Sequence, residues 1–139
     1  MTEILKFLIA SCSFLYQDYG FRFVDSKTFS TRDAMIILAA DGYLRLCFSY
    51  EREELLLEVQ PDTAEAEDTW WGISLLEELL TGHDVASGLM SHEKAIFLKK
   101  HMPDVMRLFD KERVAGTCEK LASLREQRNK KMFGDAWFR

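Results

Sequence analysis

Between residues 21 and 60 short apolar runs alternate with tight polar breaks, and this stretch constrains the fold more than any other part of the chain. Residues 34–40 (AMIILAA) hold almost no polar position, which marks a central strand. Asp41-Gly42 follows at once, a two-residue hairpin signal. Residues 43–50 then alternate, with Leu44, Leu46 and Phe48 on one face and Arg45, Cys47 and Ser49 on the other. Phe21, Phe23 and Phe29 mark an earlier strand around 21–29. The polar turn Glu51-Arg52-Glu53-Glu54 leads into a fourth strand, 55–60, and Pro61 cannot extend the ladder. Four strands with short connections predict an antiparallel meander.

Helical periodicity flanks this sheet. Ile4, Leu5, Leu8, Cys12, Leu15 and Tyr19 recur at spacings of three and four, which predicts one helix over 2–19, with Gly20 at its C′ position. Ile9-Ala10-Ser11-Cys12 has the residue types of a lipoprotein cleavage site. Lys6 interrupts the apolar run before it, so an amphipathic helix is the expectation. After the polar segment 62–68, Trp71, Leu75, Leu76, Leu79 and Leu80 form an apolar stripe ending near Gly82. Ser91 is placed to N-cap a further helix carrying Ile96, Phe97, Met102, Val105, Leu108 and Phe109, which Pro103 should break or kink. A last helix over about 112–132 turns Val114, Cys118, Leu121 and Leu124 inward. The expected fold is α+β: an N-terminal helix, a four-stranded antiparallel meander and C-terminal helices packed on one face of the sheet. A chain of 139 residues fits a single domain, 1–139, and buries enough surface to fold without metals or disulfides.

Three widely spaced cysteines (Cys12, Cys47, Cys118) oppose both a disulfide framework and a CxxC zinc site. Reduced thiols imply the cytoplasm. No apolar run reaches the ~18 residues of a membrane span. His83, His92 and His101 lie nine residues apart, and nine residues of helix turn through about 900°, so His92 and His101 face opposite sides. HExxH, EF-hand, Gly-rich phosphate and G-x-S-x-G patterns are absent from the sequence. The expectation is no catalytic residue, no metal and no cofactor: a protein that is not an enzyme.

Charge is segregated along the chain. Residues 51–84 contain eleven acids (Glu51, Glu53, Glu54, Glu58, Asp62, Glu65, Glu67, Asp68, Glu77, Glu78, Asp84) against Arg52 alone, a net of −10, while the whole chain carries −5. Such a balance opposes direct nucleic-acid binding, which needs clustered bases. The basic residues of the last helix (Lys120, Arg125, Arg128, Lys130, Lys131) complement its macrodipole. An acidic segment suits a basic partner. Trp70 and Trp71 sit within it, and aromatic anchors rimmed by charge have the composition of an interface. One tryptophan is expected in the core and the other outside it. Part of the acidic segment is free to pair with the positive C-terminal helices instead.

The stretches YGFRFVDSKTF, AMIILAADGYLRLCFSYEREELLLEVQ and LASLREQRNKKMFG, together spanning roughly residues 16–60 and 121–134, resemble the small bacterial immunity-type proteins encoded beside contact-dependent growth-inhibition and other polymorphic toxins. The resemblance lies in element order, size and acidity. It implies a protein that binds a basic cognate toxin domain and covers its active site or blocks a surface the toxin needs; many such toxins are nucleases. The expected partner-binding residues rest on charge and aromaticity: Glu51, Glu53, Glu54, Glu58, Asp62, Glu65, Glu67, Asp68, Trp70 and Trp71. The alternative is a non-enzymatic adaptor or self-assembling structural module.

Overall fold

A computed structural model describes residues 1–29, 33–40, 44–62, 69–85 and 88–133. The chain runs α1 (Thr2–Ser11), α2 (Ser13–Tyr19), β1 (Arg22–Thr28), β2 (Ala34–Ala40), β3 (Leu44–Glu51), β4 (Glu54–Pro61), β5 (Trp71–Gly72), α3 (Ile73–Thr81), α4 (His92–Leu108) and α5 (Val114–Phe133). The strands form one antiparallel sheet in the order β1-β2-β3-β4-β5. The fold is therefore α+β, and the meander has five strands rather than four. The fifth has two residues, pairing Glu58 with Gly72 and Val59 with Trp71, too short to leave a periodic signal.

Strand alternation sorts the sheet into two faces. Ala34, Ile36, Leu38, Leu44, Leu46, Phe48, Leu57 and Val59 form one core with Ile4, Leu8, Leu15, Leu76, Leu98, Met102, Val105 and Leu121 from the helices. Every described helix contributes to that core or its edge. The Asp41-Gly42 turn lies outside the described residues, but β2 and β3 pair in register from Ala34↔Tyr50 to Ala40↔Leu44, as such a hairpin requires.

Three helical expectations need correcting. The first helix is two: Cys12, at φ −125°, separates α1 from α2, and the break lets Phe14 and Leu15 both bury. Trp71 belongs to β5, not to the helical stripe that follows it. Pro103 does not end α4. Its ring is exposed, and burial of Leu98, Met102 and Val105, each worth roughly 1.5–3 kcal/mol, outweighs the ~3 kcal/mol penalty of an interior proline. In the same helix Ile96 points outward, so the buried stripe runs through Ala95 and Leu98 instead. Gly20 and Gly82 close their helices in the left-handed conformation (φ 72° and 76°), and the Ser91 hydroxyl accepts from the Lys94 amide at 3.2 Å. No helix among the described residues is long and apolar enough to cross a membrane.

Candidate interaction face of the sheet

The face of the sheet away from the helices carries Met35, Ile37 and Ala39 from β2, Arg45, Cys47 and Ser49 from β3, and Leu56, Glu58 and Gln60 from β4. These positions alternate with the core residues of the same strands. Ile37, Ala39 and Cys47 are buried yet form no part of the helix-side core. Cross-strand pairing aligns Asp25, Ile37, Cys47 and Glu58 in one row and Arg22, Ala39, Arg45 and Gln60 in the next. The result is a small, largely neutral and buried centre with charged side chains around it.

The acidic residues fall into two groups. Glu51 and Glu54 pair across the β3–β4 hairpin, and both are exposed, as is Glu53 at its tip. Glu51, Glu53 and Glu54 make no ion pair among the described residues. The second group is neutralised within the molecule. Lys94 Nζ lies 2.7 Å from Glu77 Oε2, Arg128 Nη2 lies 2.7 Å from Glu78 Oε2, and Lys131 Nζ lies 3.7 Å from Asp84 Oδ2. Asp62 is half-buried just beyond β4. Glu65, Glu67 and Asp68 lie outside the described residues.

The hairpin tip adopts an unfavourable backbone. Arg52 (φ 50°) and Glu53 (φ 66°) both occupy the left-handed region, as a two-residue primed turn demands. Asn-Gly would fit that turn without strain; two charged side chains cost about 1 kcal/mol or more apiece. The Arg52 amide donates to Asp33 Oδ1 at 3.3 Å, which ties the tip to the start of β2.

Glu58 stands further along the same face, half-buried. Burial pushes its carboxyl pKa up from 4.5; nearby Arg125 opposes the shift and Glu51 reinforces it. The folded state therefore holds a proton on Glu58 more tightly than the unfolded chain does. The stability this gives is fully present below pH 4.5 and is lost as pH rises through the folded pKa. Glu58→Gln removes the titration. In chemical denaturation at pH 4 and pH 7, the variant's advantage over the parent protein should be larger at pH 7; an advantage independent of pH would show that Glu58 is not desolvated.

The two tryptophans take different places. Trp71 is buried (7% exposed) opposite Val59, with the Arg125 guanidinium 4.3 Å from its ring centroid. Trp70 is half-buried, with the Arg45 guanidinium 5.5 Å from its ring centroid. Arg45 Nη1 donates to Gln60 Oε1 at 3.1 Å, Gln60 Nε2 to the Thr69 carbonyl at 3.2 Å, and Arg125 Nη2 to the Trp70 carbonyl at 2.6 Å. Trp70 thus adjoins the Arg45–Gln60 end of this face. The hairpin tip lies at the opposite end of β4, six residues and roughly 20 Å away. Residues adjacent in sequence are therefore not one continuous patch: an acidic end and an Arg-Trp end flank the neutral centre. Arg45 and Leu56, both half-buried, join the candidate site although charge alone does not select them, while Ile37 and Cys47 lie buried beneath it; the alternation of β3 already put Arg45 and Cys47 on this face.

No group of His, Cys, Asp and Glu residues suited to a metal ion occurs among the described residues. Burial raises the Cys47 thiol to about 11 and the Cys12 thiol to about 12, so neither forms a ready thiolate nucleophile at neutral pH. Compared with known proteins, the chain matches no family model, no curated protein and no solved structure, so its geometry is the ground on which a function is assigned.

Proposed function

We propose that this chain is a non-catalytic immunity protein, acting in the cytoplasm, that binds and neutralises a basic bacterial toxin domain through the exposed acidic hairpin between β3 and β4. The observation that carries this reading is the carboxylate set Glu51, Glu53 and Glu54, exposed and without ion pairs among the described residues while Glu77 and Glu78 of the same sequence segment are matched internally. Unmatched like charge on a two-residue turn raises the local potential and steers a cationic partner. The positive φ values at Arg52 and Glu53 support the reading as well, since backbone strain gathers where function holds it. Where the toxin is a nuclease, these carboxylates take the place of nucleic-acid phosphates, and the protein itself contacts no nucleic acid.

The test is binding to the toxin domain encoded by the adjoining reading frame. The expected complex has a sub-micromolar Kd. Joint Glu51→Lys, Glu53→Lys and Glu54→Lys substitution should slow association about tenfold or more, abolish its salt dependence and remove protection of cells expressing the toxin. Unchanged association and protection would rule out the acidic-end mechanism. The three side chains are exposed, so the variant should fold; its circular dichroism spectrum checks that it does.

A further inference from the structure

The opposite edge of the sheet is built differently. All seven residues of β1 are exposed, and β1 is an edge strand that pairs only with β2 among the described strands. Phe23 (59% exposed) and Val24 (54%) lie on this strand beside Leu5, Ile9 (77%) and Tyr16 of α1 and α2. Two adjoining grooves meet at Phe23, one walled by Ile9 and Tyr16, the other by Leu5 and Val24. Sheet proteins usually blunt such an edge with charge or a bulge. A bulge is present between Phe23 and Asp25, but the extra residue it carries is an exposed valine.

We infer that β1 pairs antiparallel with β1 of a second copy of this chain, about a two-fold axis between Phe23 and Val24. Charge complementarity of the strand with itself selects a second copy as the partner. In this register Arg22 faces the second copy's Asp25 twice over, and Phe23 faces Val24 twice over. A two-fold on Asp25 sets that carboxylate against its own mate. A two-fold between Val24 and Asp25 sets Arg22 against Lys27. A two-fold on Val24 sets the Phe23 ring against Asp25. Like charges directly opposite destabilise a strand pair. A two-fold on Ser26 also pairs opposite charges, Asp25 with Lys27, but it leaves Arg22 without an opposing acid, so the Arg22→Glu variant separates the two registers. The five exposed apolar side chains offer on the order of 500 Å² per copy. Two copies reach roughly 1,000 Å², the lower limit of a specific interface. A dimer with a Kd in the micromolar range is expected. This surface lies at the far edge of the sheet from β5 and does not depend on the toxin reading.

Sedimentation equilibrium of the full chain from about 1 to 500 μM tests it. The weight-average mass should rise from monomer to dimer across that range. Arg22→Glu and Asp25→Arg, each alone, should raise Kd about tenfold or more by opposing like charges. The double variant restores opposite charges and should return to within about threefold of the parent protein. Val24→Lys should abolish the dimer independently. Both charged side chains also make local contacts, Arg22 with the Phe21 and Tyr16 carbonyls and Asp25 with the Ser26 amide, so melting curves accompany each variant. A constant monomer mass, a dimer indifferent to all three single substitutions, or failure of the charge swap to restore association would each overturn the proposal.

Discussion

Phe48→Ala lowers folding stability by about 3–5 kcal/mol, the largest loss expected from any single truncation here. Phe48 is fully buried on β3, the middle strand of five, and its ring centroid lies 6.4 Å from that of Phe7 on α1. The side chain therefore joins the sheet to the helical layer, and its removal leaves a cavity that β2 and β4 cannot close without breaking their ladders with β3. A domain of this size has about 5–15 kcal/mol in total, so the variant sits near the edge of folding at physiological temperature. Urea denaturation should show a much lower midpoint with an unchanged slope. Ile96→Ala is the contrast. Ile96 is 56% exposed, and its truncation should change stability by less than about 0.5 kcal/mol. Similar losses for the two variants would contradict this packing of α4 and β3.

The second large effect is at Arg128. Its Nη1 donates to Ser74 Oγ at 2.8 Å, its Nη2 to the Ser74 carbonyl at 3.1 Å, and its Nε and Nη2 to Glu78 Oε2 at 3.0 and 2.7 Å. One guanidinium thereby ties α5 to α3. Arg128→Ala leaves Glu78, whose side chain is 16% exposed, without its cation. The cost is about 1.5–3 kcal/mol, in line with hydrogen bonds to charged groups and below that of a fully buried pair. Lysine cannot reproduce the forked geometry, so Arg128→Lys should lose most of the same stability. The loss is local: hydrogen exchange should accelerate along α5 well before the sheet is affected. A double-mutant cycle with Glu78→Gln isolates the pair. Negligible coupling would mean that α5 is held by Leu121 and the Arg125–Trp71 stack alone.

Local pattern was enough for elements whose signal is contained in their own residues. β2, β3 and β4 follow from period-two alternation, and Gly20, Gly82 and Ser91 mark helix ends because their caps need only neighbouring backbone groups. The pattern failed where burial came from elsewhere. Cys12 keeps the apolar stripe intact while the backbone breaks, and β5 is a strand only because β4 lies beside it. Phe21, Phe23 and Phe29 suggest a buried strand, yet β1 is exposed along its whole length because α1 and α2 only flank it.

The candidate site divides along the same line. Composition and the β3 alternation by themselves determined that this chain is an α+β domain with a −10 segment, and that Arg45, Cys47 and Ser49 share a face. Only the tertiary structure decided which acids remain unmatched. Glu77 and Glu78 meet Lys94 and Arg128 across 17 and 50 residues of chain, whereas Glu51, Glu53 and Glu54 stand on a hairpin tip and make no ion pair among the described residues. It also decided that Trp71 is core and Trp70 is not, because Trp71 pairs with Val59 on the helix side of the sheet. The physical reason is the same in both cases: a side chain's charge and apolarity are properties of its sequence, but its desolvation and its partners depend on which distant segments fold against it.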